Sequence, residues 1–214
     1  MEPRATRAAS QDIHFYEPAK GHGLKHDPFN AIVAPRPIGW ISSLDAKGNV
    51  NLAPYSFFNA FSYKPPIVGF SSTNWKDSVE NVQETREFCW NLVTMNLARQ
   101  MNATAAHVAP EIDEFTIAGL TAAPSRLVNV PRVAESPACF ECKVTEIIRL
   151  KGADGRDAEA WLTFGEVVAV HIDKAFIRDG VYDTALARPI ARAGRRGDYF
   201  EMTPENMFEM VRPD

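Results

Sequence analysis

The chain has 214 residues, 45% of them hydrophobic, a formal net charge of −4 and three cysteines. That length and composition can bury one full core, the charge and the lack of a long basic run disfavour nucleic acid and anionic membranes, and three cysteines are no disulfide framework. No window approaches the roughly 18 apolar residues of a membrane span and the first residues carry no apolar leader region, so a soluble cytoplasmic protein is expected.

In chain order, residues 1–30 are polar and rich in turn formers, as in "KGHGLKHDP", which predicts an N-terminal arm. A single domain over residues 31–200 and a tail over 201–214 follow. From Ile38 the pattern alternates: "IGWISSL" and "VNLAPYSFFNAF" flank "DAKGN", a hairpin signal. "PPIVGFSS" reads as a third strand. "KDSVENVQETREF" predicts an exposed helix over residues 78–86, with Asp77 and Glu80 spaced as a capping box. "FCWNLV" is a strand and "NLARQMNATAAH" a helix. "ACFECKVTEIIRL" and "AWLTFGEVVAVHID" are long strands joined by "KGADGRDAE", and the chain after Lys174 reads mostly as loop. Five or more strands with two short helices predict a mainly β fold, an antiparallel barrel or sandwich.

Two segments carry chemistry. In the second hairpin arm Pro54 interrupts the ladder, with Ser56 and Asn59 beside it. The plain reading is a proline ending an edge strand with its polar neighbours in water. The alternative is a shelf, because freed backbone groups and small hydroxyl side chains let a planar, polar-edged ligand approach the main chain. Next, "FSSTNWKDSVEN" sets Ser71, Ser72 and Thr73 ahead of Lys76 and the start of a helix. A phosphate monoester suits such a place, since helix-start N–H groups favour an anion and an ammonium adds a charge-assisted bond. An ordinary capped helix with a solvated lysine is the competing reading.

Together the segments "RPIGWISSLDAKGNVNLAPYSFFNAFSYKPPIVGFSS", "KDSVENVQETREFCWNLV", "FGEVVAVHID" and "RPIARAGRRGDYF" resemble the flavin reductase-like proteins of the FMN-binding split-barrel fold, over about Ala34 to Tyr199. The resemblance implies a split barrel that holds FMN near a homodimer interface. It implies that Trp40, Ile41, Ser42 and Ser43 border the flavin ring, with Ser42 and Ser43 tuning N1 and N5. Pro54, Tyr55, Ser56 and Asn59 would line the ring edge and ribityl chain. Ser71, Ser72, Lys76, Asp77 and Ser78 would surround the phosphate, and Arg192 and Tyr199 would complete the site. The implied activity is an FMN-dependent oxidoreductase with NAD(P)H as donor, passing electrons to oxygen, free flavin, a partner oxygenase or another electron-transfer protein. Two other readings stand beside it: a flavoredoxin-like FMN carrier that does not use NAD(P)H, and a flavin-free split barrel with a structural role.

Other features point to less. "CFEC" from Cys139 to Cys142 has redox spacing but lies in a predicted strand without a second pair, so buried structural cysteines are expected. His22 and His26 in "HGLKH" sit among glycines with no carboxylate cluster, so no metal site is expected. No G-x-G-x-x-G follows a predicted strand, which leaves a nicotinamide donor only a shallow, transient complex. His171 is open between a structural role and a contact with flavin or substrate.

Overall fold

The computed structural model describes residues 12–109 and 112–213. The first eleven residues of the expected arm therefore lie outside the described residues. Its remainder carries a 3-10 turn at Pro18–Lys20 and a helical turn at Phe29–Ile32, both largely exposed.

Seven strands form one antiparallel sheet: β1 Gly39–Leu44, β2 Val50–Tyr55, β3 Phe58–Tyr63, β4 Pro66–Thr73, β5 Glu87–Asn91, β6 Ala138–Lys151 and β7 Asp157–Ile172. Their spatial order is β2-β1-β5-β6-β7-β4-β3. The two edge strands, β2 and β3, are consecutive in the chain and only Ser56 and Phe57 separate them, so the sheet must roll until its edges meet at that corner. A bond from Ser71 N–H to the Phe57 carbonyl (2.8 Å) fastens the corner, and Phe58 lies over Gly39, where a Cβ would come within 2.9 Å of the ring. The result is a barrel joined at one end of a seam.

The hairpin forms as expected, with β1 and β2 in register from Gly39–Tyr55 to Leu44–Val50. Its second arm is two strands, because the chain bends at Ser56 after Pro54. Helix α1 (Asp77–Thr85) starts one residue earlier than the sequence predicts. Lys76 takes the N-cap position, no side chain caps the helix, and Asp77 becomes its first residue, so the Asp77–Glu80 capping box does not form. The helix is not an exposed one either: Ser78, Val79, Asn81 and Val82 are buried. Helices α2 (Ala98–Ala103) and α3 (Glu114–Ala118) cover the other side of the hairpin. Beyond Lys174 the chain forms strand pieces rather than plain loop, and Ile190–Arg192 pairs with both Arg36–Pro37 and Tyr199–Glu201.

Strand β1 is central and covered on both faces, which explains its run of buried residues. By alternation Trp40 points into a cluster with Ile38, Leu52, Val93, Met101 and Phe115. Ile41 points the opposite way, into a cluster with Tyr55, Val68, Phe70, Val82 and Phe88. In β7, Gly165 is required by close approach: a Cβ there would collide with the Phe88 ring and meet Cys142 Cβ at 3.1 Å. Among the described residues no helix is long and apolar enough to cross a membrane.

Candidate functional site

The bend after Pro54 and the start of α1 face each other across a cavity of about 460 Å³. One wall is the end of β2, with Pro54, Tyr55 and Ser56. The other is Ser71 and Thr73 of β4, followed by Trp75, Lys76, Asp77 and Ser78, and the segment Thr104–Val108 with Glu114 closes the remaining side. Strand alternation explains the choice of hydroxyls: Ser71 and Thr73 face the cavity, whereas Ser72 points the other way, is buried, and donates to the Asn74 carbonyl (3.0 Å). Asn74 takes a left-handed φ of 65°, which swings the chain from β4 into the helix and presents Lys76 at its N-terminus.

The floor of the cavity is a chain of amides and hydroxyls. Asn81 Nδ2 donates to Ser43 Oγ (3.1 Å), and Asn51 Nδ2 lies within 3.3 Å of Ser43 Oγ and 2.8 Å of Ser78 Oγ. Glu114 Oε2 accepts from Leu52 N–H (3.0 Å), and burial raises its carboxyl above the ordinary range despite that bond. Burial likewise pushes the Tyr55 phenol up, partly offset by the Ser78 and Ser72 hydroxyls.

Of the site residues named from sequence, Pro54, Tyr55, Ser56, Ser71, Lys76, Asp77 and Ser78 line this one cavity. The others do not. Trp40 and Ile41 bury their side chains wholly in opposite cores, so the side chains of residues 40–43 do not all face this cavity. Trp40 instead backs the cavity, its Nε1 donating to Thr104 Oγ1 (2.9 Å). Ser42 donates to the Pro131 carbonyl (2.6 Å) on the Trp40 face, and Ser43 is spent on Asn51 and Asn81. Asn59 is exposed on β3 with its Oδ1 taken by Ala60 N–H (2.8 Å). Arg192 stacks on Tyr199 with its guanidinium carbon 4.7 Å from the ring centroid, and Tyr199 lines a separate cavity with Met95 and Met101. Asn51, Thr104, His107 and Glu114 also line the cavity; the last three come from segments with no motif. Asn51, one strand position from the turn, was the only one with a local hint.

Residues 33–186 match the model of the flavin reductase like domain, and the chain belongs to that family. An uncharacterized protein of Aquifex aeolicus is 34% identical, with 79% of this chain and 85% of that protein aligned; the uncharacterized YwrF of Bacillus subtilis is 32% identical, with 85% and 89% aligned. Among solved structures, nitrilotriacetate monooxygenase component B from Bacillus cereus superposes with a TM-score of 0.84 at 27% identity, covering 94% of this chain and 100% of that one. The 2-nitrobenzoate 2-nitroreductase NbaA of Pseudomonas fluorescens gives 0.75 at 28%, covering 86% and 88%. The fold is thus an antiparallel split barrel of the flavin reductase type.

Proposed function

We propose that the chain is an FMN-binding oxidoreductase, with the cofactor in the cavity between Pro54 and Lys76 and NAD(P)H as a transient donor. The observation that carries this reading is the meeting, in one cavity, of an uncapped helix start, the Lys76 ammonium and the end of β2 at Pro54–Ser56, where the ladder runs through Pro54 to Tyr55 and stops at the Ser56 bend. No ion pair involves Lys76 among the described residues. A phosphate monoester fits that corner: it accepts from the Ser71 and Ser78 hydroxyls, from first-turn amides and from Lys76. Asp77 and Glu114 would repel a phosphate placed against them, so the phosphate belongs at the Lys76 end, and these acceptors suit the hydroxyls of a ribityl chain. Trp75 supplies an aromatic wall.

When bound, FMN supplies hydride acceptance at N5 and onward electron transfer. The chain's own residues bind, orient and shield it. The relatedness to a monooxygenase component and a nitroreductase supports an oxidoreductase that passes electrons to an acceptor or to a partner oxygenase. Exposed aromatics on β3 support a homodimer, as developed below.

The test is to purify the protein, release any chromophore by heat and identify it by chromatography. FMN is the expected product, and NADH or NADPH should bleach the bound flavin rapidly without oxygen. A yellow protein that neither nucleotide reduces is an electron carrier instead. A colourless protein that takes up no added FMN overturns the flavin assignment.

A further inference from the structure

A second, larger cavity of about 960 Å³ lies at the far end of β7 and shares no lining residue with the first. Its construction centres on Glu141 of β6, whose side chain is wholly buried. That carboxylate accepts from three consecutive amides, Arg126 (2.8 Å), Leu127 (2.6 Å) and Val128 (3.1 Å), and from His171 Nε2 (2.5 Å). Burial alone would raise its pKa, but the His171 bond and the three amides hold it below the ordinary carboxylate range. Four donors on one buried carboxylate fix two cavity walls at once, the loop of Arg126 and Leu127 and the imidazole on β7. Because Nε2 is committed to Glu141, Nδ1 is the ring atom without a partner among the described residues.

Arg126, Arg132 and Arg188 line this cavity together with the acids Glu135 and Asp173. Of its acids, Glu135 is engaged by Thr121 N–H and Asp173 by Ala175 N–H, while Arg188 pairs with Glu201. Arg126 and Arg132 form no ion pair among the described residues, and the Arg132 Nε is buried with no acceptor there. A guanidinium stays charged, and its planar fork matches a carboxylate. Leu97, Leu127, Ile172, Phe176 and Leu186 supply apolar surface beside the polar Thr94, Asn96 and Ser136.

We propose that this cavity is a binding site for a small organic acid, an aryl or branched-alkyl carboxylate, whose carboxylate meets the Arg132 guanidinium and whose apolar body lies against Leu127, Ile172 and Phe176. It is independent of the flavin reading, since it rests on other residues.

The experiment is calorimetric titration of benzoate, cyclohexanecarboxylate and the neutral isostere benzamide into the purified protein, with and without saturating FMN. At least one acid should bind, at least about tenfold tighter than benzamide, with no competition from FMN. Arg132→Gln should weaken the acid about tenfold. Should that partly buried position fail to fold, Ala134→Trp at the exposed rim blocks the cavity sterically and should weaken binding at least as much, with FMN uptake unchanged. Neither acid binding up to about 10 mM, acid and amide binding alike, displacement by FMN, or wild-type affinity in the folded variants would each overturn the proposal.

Discussion

Asn51 Nδ2 lies 2.8 Å from Ser78 Oγ, tying the second hairpin arm to the first turn of the helix that starts at Lys76. The amide donates and the buried Ser78 oxygen accepts. The same Asn51 amide lies 3.3 Å from Ser43, which Asn81 also holds. Ser43 therefore positions the floor of the site from behind without touching what lies above it.

Asn51→Leu removes a buried donor from both serines. The expected cost is about 1–3 kcal/mol of folding stability, measured as a shift in the urea midpoint at unchanged slope. An unchanged midpoint would mean that the relay is not a packed network.

The two faces of β1 show what could be read from the sequence. Alternation in "IGWISSL" was visible and gave the strand, yet alternation also sends Trp40 and Ile41 into different cores, which follows only once both faces are known to be covered. The "DAKGN" turn, the long strands and the Ser71–Lys76 corner rest on local chemistry and were legible. Thr104 and Glu114 reach the cavity through long-range packing, for which no local pattern exists. The capping box fails because Asn74 takes a left-handed turn that starts the helix at Asp77; the Asn is the one residue of "TNWKD" suited to that turn.

Gly165 sits beneath Phe88 with no room for a Cβ. Gly165→Ala should overpack that core and cost about 1–3 kcal/mol. Thermal unfolding measures it, and a midpoint equal to wild type would show that the Phe88 ring moves aside freely.

Burial pushes the thiol of Cys89 up to about 12, that of Cys139 up to about 11, and that of Cys142 well above its ordinary value. At pH 8 all three should resist a thiol reagent in the folded protein and react in urea. Folded values raised above unfolded ones give stability that is fully present below the unfolded pKa of about 8.5 and lost as pH rises toward the folded values. Urea midpoints should accordingly fall between about pH 9 and pH 11. Fast labelling of the native protein at pH 8 would contradict the assignment.

On β3 and its surroundings Phe61 is 54% and Tyr63 86% exposed, with Phe57 and Trp75 also exposed, whereas Phe58 turns inward and stacks on Trp90 at 5.4 Å. An edge strand carrying such aromatics should be covered by a second copy. Light scattering is expected to give about 48 kDa, twice the 23.8 kDa chain, at micromolar concentration. A mass of one chain would count against the dimer.

Lys76 is proposed to face a flavin phosphate. Titrating FMN and riboflavin into wild type and Lys76→Ala by flavin fluorescence gives a double difference that cancels general damage to the fold. A lost charge-assisted bond of roughly 1.5–3 kcal/mol should weaken FMN about ten- to hundredfold and leave riboflavin, which lacks the phosphate, nearly unchanged. FMN affinity equal in mutant and wild type, or an equal loss for both ligands, would contradict it.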